Sequence, residues 1–104
     1  MKIMERRKRA QERFPCFLDV VIDNAQSCKA YDISQGGIYV RTDNVLKPGS
    51  IVIIRLFSGN AELELKARVK HCVDGIGMGL MFIDLDTGLK TKIRAFLEEI
   101  KKIA

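Results

Sequence analysis

Residues 61–69 read AELELKARV, and this stretch shows the plainest periodicity in the chain. Its odd-numbered residues are all apolar, and its even-numbered residues are all charged. Successive side chains of a β-strand point to opposite faces, so a period of two predicts a strand with one face in a core and the other in water. The stretch therefore predicts a half-buried β-strand.

Five further short segments carry strand signals, because they are rich in apolar and β-branched residues and are separated by turn residues. One of the turns, Lys47-Pro48-Gly49, places Pro and Gly where a type II turn needs them. Six short strands joined by tight turns predict an antiparallel barrel or sandwich. The five further strands are expected at residues 17–22, 28–33, 37–41, 50–57 and 77–83.

The segment 86–103 changes to a helical period, with apolar residues recurring every three or four positions. Asp86 is suited to be the N-cap of this helix, because its carboxylate can accept a hydrogen bond from a free backbone N–H of the first turn. Lys101 and Lys102 suit the negative end of the helix dipole. We expect an amphipathic helix that lies on the barrel. Its apolar positions are Leu89, Ile93, Phe96, Leu97, Ile100 and Ile103.

Positive charge is concentrated at the start of the chain. Residues 1–15 contain six basic and two acidic side chains, so they carry +4 of the net charge of +5. Such a concentration favours an anionic partner. The segment lacks an apolar stripe, and a helix that is polar all round is not stable alone. We therefore predict one domain over 1–104, with a mobile basic arm at 1–15, an all-β barrel at 16–84 and the C-terminal helix at 86–103.

Several classes of protein are excluded by what the sequence lacks. No stretch has the roughly 18 apolar residues of a membrane-spanning helix, and the charged N-terminal segment does not resemble a signal peptide. These features predict a cytoplasmic protein without membrane insertion. The three cysteines and the single histidine form no zinc or redox motif. No nucleophile–base pair or phosphate loop is present, so we expect a binding module that is not an enzyme and needs no metal or cofactor.

Two short motifs carry the functional prediction. Residues 9–13 read RAQER, an R-x-x-x-R pattern directly before Phe14-Pro15, and residues 32–37 read DISQGG, a D/N-x-S-x-x-G pattern. Their order, with six strands and a C-terminal helix, resembles the PilZ domain family over essentially the whole chain. The segments 37–41 and 77–82 are also similar to the family. Met81 stands where some relatives place an arginine.

The resemblance implies a PilZ-like split barrel that binds the bacterial second messenger cyclic di-GMP. The ligand-binding residues that it implies are Arg9, Arg13, Asp32, Ser34 and Gly37. It also implies that the arm becomes ordered over the barrel when ligand binds, and that the complex acts on a partner protein in motility or exopolysaccharide and biofilm control.

The chemistry of these residues suits such a ligand. A guanidinium can bond both acceptors of the guanine O6/N7 edge, or a phosphate, and a carboxylate such as that of Asp32 can accept from the N1–H and N2–H₂ donors. Ser34 can bond a phosphate or a base, and Gly37 permits a close approach or an unusual backbone conformation. Lys8 is a possible additional phosphate contact.

Simpler interpretations stay open for each residue. Arg9 and Arg13 could belong to a solvated tail, Asp32 and Ser34 could only brace a turn, and Gly37 could mark a bulge or turn. Two other functions also stay open. One is a PilZ-fold protein adaptor that does not bind nucleotide. The other is a small basic barrel that binds nucleic acid, which we do not expect because no aromatic-rich strand platform is evident.

His71 is odd-numbered, like Leu65 and Val69, which the alternation predicts to be buried. Cys72 breaks the alternation, because it is an apolar residue at an even-numbered position. A β-bulge near His71 would explain this break. We expect the histidine to be packed at the end of its strand rather than stacked on a ligand.

Overall fold

The computed structural model describes residues 13–103 of the chain. The predicted arm therefore lies outside the described residues, except for its last three positions. The described chain forms seven strands and one helix. They are β1 (Phe14–Pro15), β2 (Asp19–Ile22), β3 (Gln26–Ile33), β4 (Gly37–Arg41), β5 (Ile51–Ser58), β6 (Ala61–Val73), β7 (Gly77–Ile83) and α1 (Thr87–Ile103).

Strands β2 to β7 close a six-stranded antiparallel barrel, as predicted. Around the barrel the order is β3, β2, β5, β6, β7 and β4, and the pairing of β3 with β4 completes the circle. β2 begins at Asp19, two residues later than predicted, β5 is displaced by one residue, and two other strands are longer than predicted. β3 begins two residues earlier than predicted, and β6 continues four residues beyond the alternating stretch.

The extra strand, β1, pairs with β3 through Phe14↔Ile33 and Pro15↔Asp32. It lies inside the segment expected to be an arm, so the sheet begins before residue 16. Pro15 is tolerated there because β1 is an edge strand, where a missing N–H costs no ladder hydrogen bond. This short strand fixes the path by which the chain enters the barrel.

The barrel core is the apolar face that the alternation predicts. Along β6, Leu63, Leu65, Ala67 and Val69 are buried, whereas the charged residues between them are exposed. The helix α1 buries Ile93, Phe96, Leu97 and Ile100 in the same core. Removing these side chains from water is the main stabilising contribution to a domain of this kind.

The predicted helix start and turn are also confirmed. The backbone N–H of Leu89 donates to Oδ1 of Asp86 at 2.8 Å, which makes Asp86 the N-cap. In the predicted type II turn, the N–H of Ser50 donates to the carbonyl of Lys47 at 3.0 Å, and Gly49 has a φ of +94°. No helix among residues 13–103 is both long enough and apolar enough to cross a membrane.

A β-bulge interrupts β6, as the broken alternation predicts. Val69 pairs with Leu80 and His71 with Gly79, so Lys70 is the extra residue. Because of the bulge, Lys70 and His71 are both exposed, and Cys72 returns to the core side. His71 was expected to be packed at the end of its strand, but its side chain is exposed, since the bulge reverses the parity after Val69.

Candidate functional site

An ion pair connects the two predicted motifs. Nε of Arg13 donates to Oδ1 of Asp32 at 2.9 Å, and the terminal NH2 group of Arg13 donates to the same oxygen. The pairing of Pro15 with Asp32 places Arg13 beside the end of β3. The two side chains retain 33% and 37% of their exposure, so a ligand in solution can reach both.

Ser34 holds the turn between β3 and β4. Its side chain is buried, and its Oγ accepts hydrogen bonds from the N–H groups of Gly36 and Gly37, both at 3.2 Å. The N–H of Ser34 in turn donates to the carbonyl of Gly37 at 2.8 Å. The interpretation of Ser34 as a turn-maker is therefore correct. The hydroxyl also lies 3.5 Å from NH1 of Arg13, so it borders the ion pair as well.

Position 37 requires glycine because β4 and β7 approach closely there. Its backbone conformation does not require glycine. It is the first residue of β4 and pairs with Met81 of β7 in a regular register. Its φ is not positive, which excludes the suggestion that it adopts a conformation forbidden to other residues. A Cβ at this position would lie 2.5 Å from the carbonyl oxygen of Leu80. Any side chain would therefore push β4 away from β7.

Arg13, Asp32, Ser34 and Gly37 all line an open cleft of about 400 Å³. Arg9 and Lys8, which are also expected at this site, lie outside the described residues. The rest of the lining is formed by residues that were not predicted to be functional. They are Tyr39, Lys70, His71, Gly79, Leu80 and Met81, with Gly36 and Ile38 completing the lining.

The floor of the cleft is a row of residues paired across the strands. Asp32 of β3 pairs with Tyr39 of β4, Tyr39 with Gly79 of β7, and Gly79 with His71 of β6. Residues paired across strands have their side chains on the same face of the sheet. The row therefore brings a carboxylate, a phenol and an imidazole to the outer surface of the barrel, with Gly79 as a gap between the two rings.

Aromatic side chains form a stacked series along this surface. The ring centroids of Tyr39 and His71 are 6.1 Å apart, and those of Tyr31 and Tyr39 are 6.2 Å apart. The guanidinium of Arg41 lies over the ring of Tyr31, 5.0 Å from its centroid. Tyr31 and Tyr39 come from the consecutive strands β3 and β4, whereas His71 comes from β6 and is distant from both in sequence.

Two glycines of β7 accommodate these rings. A Cβ on Gly79 would lie 2.4 Å from Cε1 of His71, and a Cβ on Gly77 would lie 3.1 Å from the Tyr39 ring. A side chain at either position would therefore displace a ring, and at Gly77 it would also meet the backbone carbonyl of Val40 at 2.3 Å. The Gly-x-Gly pattern of residues 77–79 thus serves the aromatic surface.

A second and larger groove, of about 570 Å³, lies elsewhere on the barrel. Its lining includes Phe17, Phe57, Gly59 and Ile100, and it contains none of the predicted site residues. Cys16 also lines it, and burial raises the pKa of this thiol to about 11. Across residues 13–103, no three His, Cys, Asp or Glu side chains are grouped closely enough to hold a metal ion.

The sequence matches the family model described as "PilZ domain" over residues 7–99. The match covers most of the chain, including both motifs, the barrel and most of α1, so the chain belongs to the PilZ domain family. No curated protein matches the chain.

Several solved structures share the fold at low sequence identity. The inhibitor of motility MotI/DgrA of Bacillus subtilis has a TM-score of 0.76 at 21% identity, over 93% of this chain and 51% of that protein. This chain therefore spans about half the length of MotI. The PilZ domain of CeSA from a cellulose-synthesizing bacterium has a TM-score of 0.70 at 24% identity, over 86% and 98% of the two chains. The PilZ domain of YcgR from Escherichia coli, solved with c-di-GMP, has a TM-score of 0.73 at 14% identity, over 93% and 94%.

Proposed function

We propose that this chain is a non-catalytic receptor for cyclic di-GMP, which binds in the cleft beside Arg13 and Asp32. The observation that carries the proposal is the contact between the two motifs. Arg13 and Asp32 lie 19 positions apart in sequence, yet they form an ion pair at the edge of an open cleft. Membership of the PilZ family and the likeness to YcgR, which was solved with c-di-GMP, support the choice of ligand.

Asp32 has an oxygen to spare for the ligand. Both hydrogen bonds from Arg13 go to Oδ1, and within residues 13–103 no hydrogen bond reaches Oδ2. A carboxylate oxygen is a good acceptor for the N1–H and N2–H₂ donors of guanine. Asp32 can therefore bind a guanine edge while it keeps Arg13 in position.

Arg13 can act on the ligand from its present place. A guanidinium has five N–H donors, and among residues 13–103 the only hydrogen-bond contact of NH1 is a long one of 3.5 Å to Ser34 Oγ. The NH1 group can therefore bond a phosphate or the O6/N7 edge of guanine. Ser34 acts chiefly by bracing the turn beside it, and Gly37 acts chiefly by allowing β4 and β7 to approach closely.

We assign the second arginine contact with the ligand to Arg9, and an additional phosphate contact to Lys8. Arg9 precedes Arg13 by four residues, and an extended chain of that length spans at most about 14 Å. That reach is sufficient for Arg9 to meet a ligand held at Arg13. Ligand binding should then protect the backbone amides of residues 9–14 from hydrogen exchange, whereas those of residues 1–5 should change little. Equal exchange in this segment with and without cyclic di-GMP would exclude a role for the arm in binding.

The ligand-bound receptor then signals by contacting a partner protein in the cytoplasm. MotI is an inhibitor of motility, and CeSA comes from a cellulose-synthesizing bacterium. Motility and exopolysaccharide synthesis are therefore the processes in which a partner should be sought.

Calorimetric titration with cyclic di-GMP, GTP and GMP tests the proposal. Cyclic di-GMP should bind much more tightly than either mononucleotide, because only it offers two guanines and two phosphodiesters to a site with two arginines. Equal binding of GTP would show a non-selective phosphate site. If no nucleotide binds, the chain is an adaptor, and preferential binding of a single-stranded oligonucleotide would favour the nucleic-acid alternative.

A further inference from the structure

We infer that the bulge of β6 forms the second wall of the ligand site, with His71 stacking on a guanine base and Lys70 binding a phosphate. This inference rests on the proposed function, and it assigns two residues that lie outside both sequence motifs. It follows from the geometry of the cleft, which continues past the motif residues to β6.

The bulge is what makes the second wall possible. In a regular strand, neighbouring residues point to opposite faces, so only one of Lys70 and His71 could reach the outer surface. The extra residue at Lys70 breaks this rule, and both side chains are exposed on the cleft. Bulges commonly redirect side chains in this way beside functional sites.

The imidazole of His71 is presented as a flat surface. The imidazole ring packs against Gly79. It fits there because Gly79 has no side chain. Tyr39 continues the surface, since its ring centroid lies 6.1 Å from that of His71 and the ring planes differ by 27°. Purine bases stack on such aromatic surfaces, and loss of one stacking partner typically weakens binding about 5- to 150-fold.

Lys70 supplies the positive charge on this side of the cleft. Among the described residues it has no ion-pair partner, whereas Lys66 on the same strand is paired with Asp84 at 3.2 Å. An ammonium group beside the cleft matches the phosphates of the ligand. The lining of the cleft therefore contains a carboxylate, a guanidinium, an aromatic ring and an ammonium group.

A single-tryptophan variant tests the stacking directly. The chain contains no Trp, so His71→Trp introduces one fluorophore at the proposed stacking position. Phe17→Trp is a matched control, because Phe17 is 70% exposed and does not line this cleft. Cyclic di-GMP should quench the fluorescence of H71W through contact with guanine and leave that of F17W nearly unchanged.

Binding measurements on alanine variants complete the test. His71→Ala should weaken binding of cyclic di-GMP about tenfold, and H71W should restore it. Lys70→Ala should weaken binding about fivefold at low salt and less at high salt, because exposed charges are screened. Lys92→Ala, on the exposed surface of α1, should have no effect.

The inference and the proposed function fail in different ways. If the wild-type chain binds cyclic di-GMP but H71A and K70A bind it equally well, and H71W is not quenched, the second wall is wrong and the receptor function stands. If the wild-type chain does not bind the ligand, the proposed function fails, and the inference fails with it.

Discussion

Arg13 and Asp32 form an ion pair that fastens the entry of the chain to the end of β3. The guanidinium donates through both Nε and NH2 to one oxygen of the carboxylate. About a third of each side chain remains exposed, so water screens the pair. The same contact that joins the two motifs should therefore contribute little to stability while it sets the geometry for ligand binding.

Replacing Arg13 by Ala should separate these two roles. We expect the free energy of unfolding to fall by less than about 1 kcal/mol, the usual value of an exposed pair. Affinity for cyclic di-GMP should fall at least tenfold, because charge-assisted hydrogen bonds to the ligand are lost. Urea denaturation and calorimetric titration measure the two effects.

Arg55→Ala is the matched control for this variant. Arg55 also donates through Nε and NH2 to one carboxylate oxygen, that of Glu62, and its pair is similarly exposed. The control should lose a similar amount of stability and bind cyclic di-GMP normally. A much larger loss of stability in R13A than in R55A would mean that the Arg13 contact is a structural element rather than part of a binding site.

Replacing Asp32 by Ala should change the choice of base. Adenine lacks the N1–H donor that a carboxylate accepts, so the wild-type chain should prefer cyclic di-GMP to cyclic di-AMP. In D32A the affinity for cyclic di-GMP should fall. The ratio of the affinity for cyclic di-GMP to that for cyclic di-AMP should also decrease. Competition titrations give this ratio, with Glu62→Ala as a control. An unchanged ratio in D32A would limit Asp32 to a structural role.

Ser34→Ala should destabilise the fold more than it affects the ligand. The substitution removes the acceptor of two backbone N–H groups in a buried turn, which costs about 1–3 kcal/mol. Ser58 is also buried, but within the described residues its hydroxyl makes no hydrogen bond. Ser58→Ala should therefore cost less. Urea denaturation compares the two variants, and equal stabilities would contradict the bracing role of Ser34.

The thiols of Cys16 and Cys28 should react slowly near neutral pH. Burial raises the pKa of each from 9.0 to about 11, because the thiolate is poorly solvated there. At pH 8 the reactive thiolate should be about 100-fold scarcer than in an ordinary thiol, and alkylation should accelerate about tenfold per pH unit up to pH 11. Iodoacetamide labelling followed by peptide mass spectrometry measures both rates. Rates equal to that of a small free thiol would contradict the burial of these groups.

The regular parts of the fold could be predicted because local sequence determines them. Alternation along 61–69 predicts a strand and its buried face, and the position of Asp86 predicts the helix start. The break in parity at Cys72 even predicts the bulge. These signals are local, and the structure confirms each of them.

The remaining features depend on contacts between distant segments. Phe14 and Pro15 carry no period of their own, so their pairing with β3 could not be predicted from local pattern. The stacking of Tyr39 on His71 brings together two strands that are not adjacent in sequence. The outward direction of His71 follows only when the exact position of the bulge is known.

The most direct test of the account is a titration of ¹⁵N-labelled protein with cyclic di-GMP, followed by amide chemical shifts. We predict saturable shifts at Arg13, Asp32, Ser34, Gly37 and Gly79, which surround the smaller cleft. The amides of Leu18, Phe57 and Gly59, in the larger groove, should not move. Shifts confined to that larger groove, or no saturable shifts at all, would contradict the assignment of the ligand site.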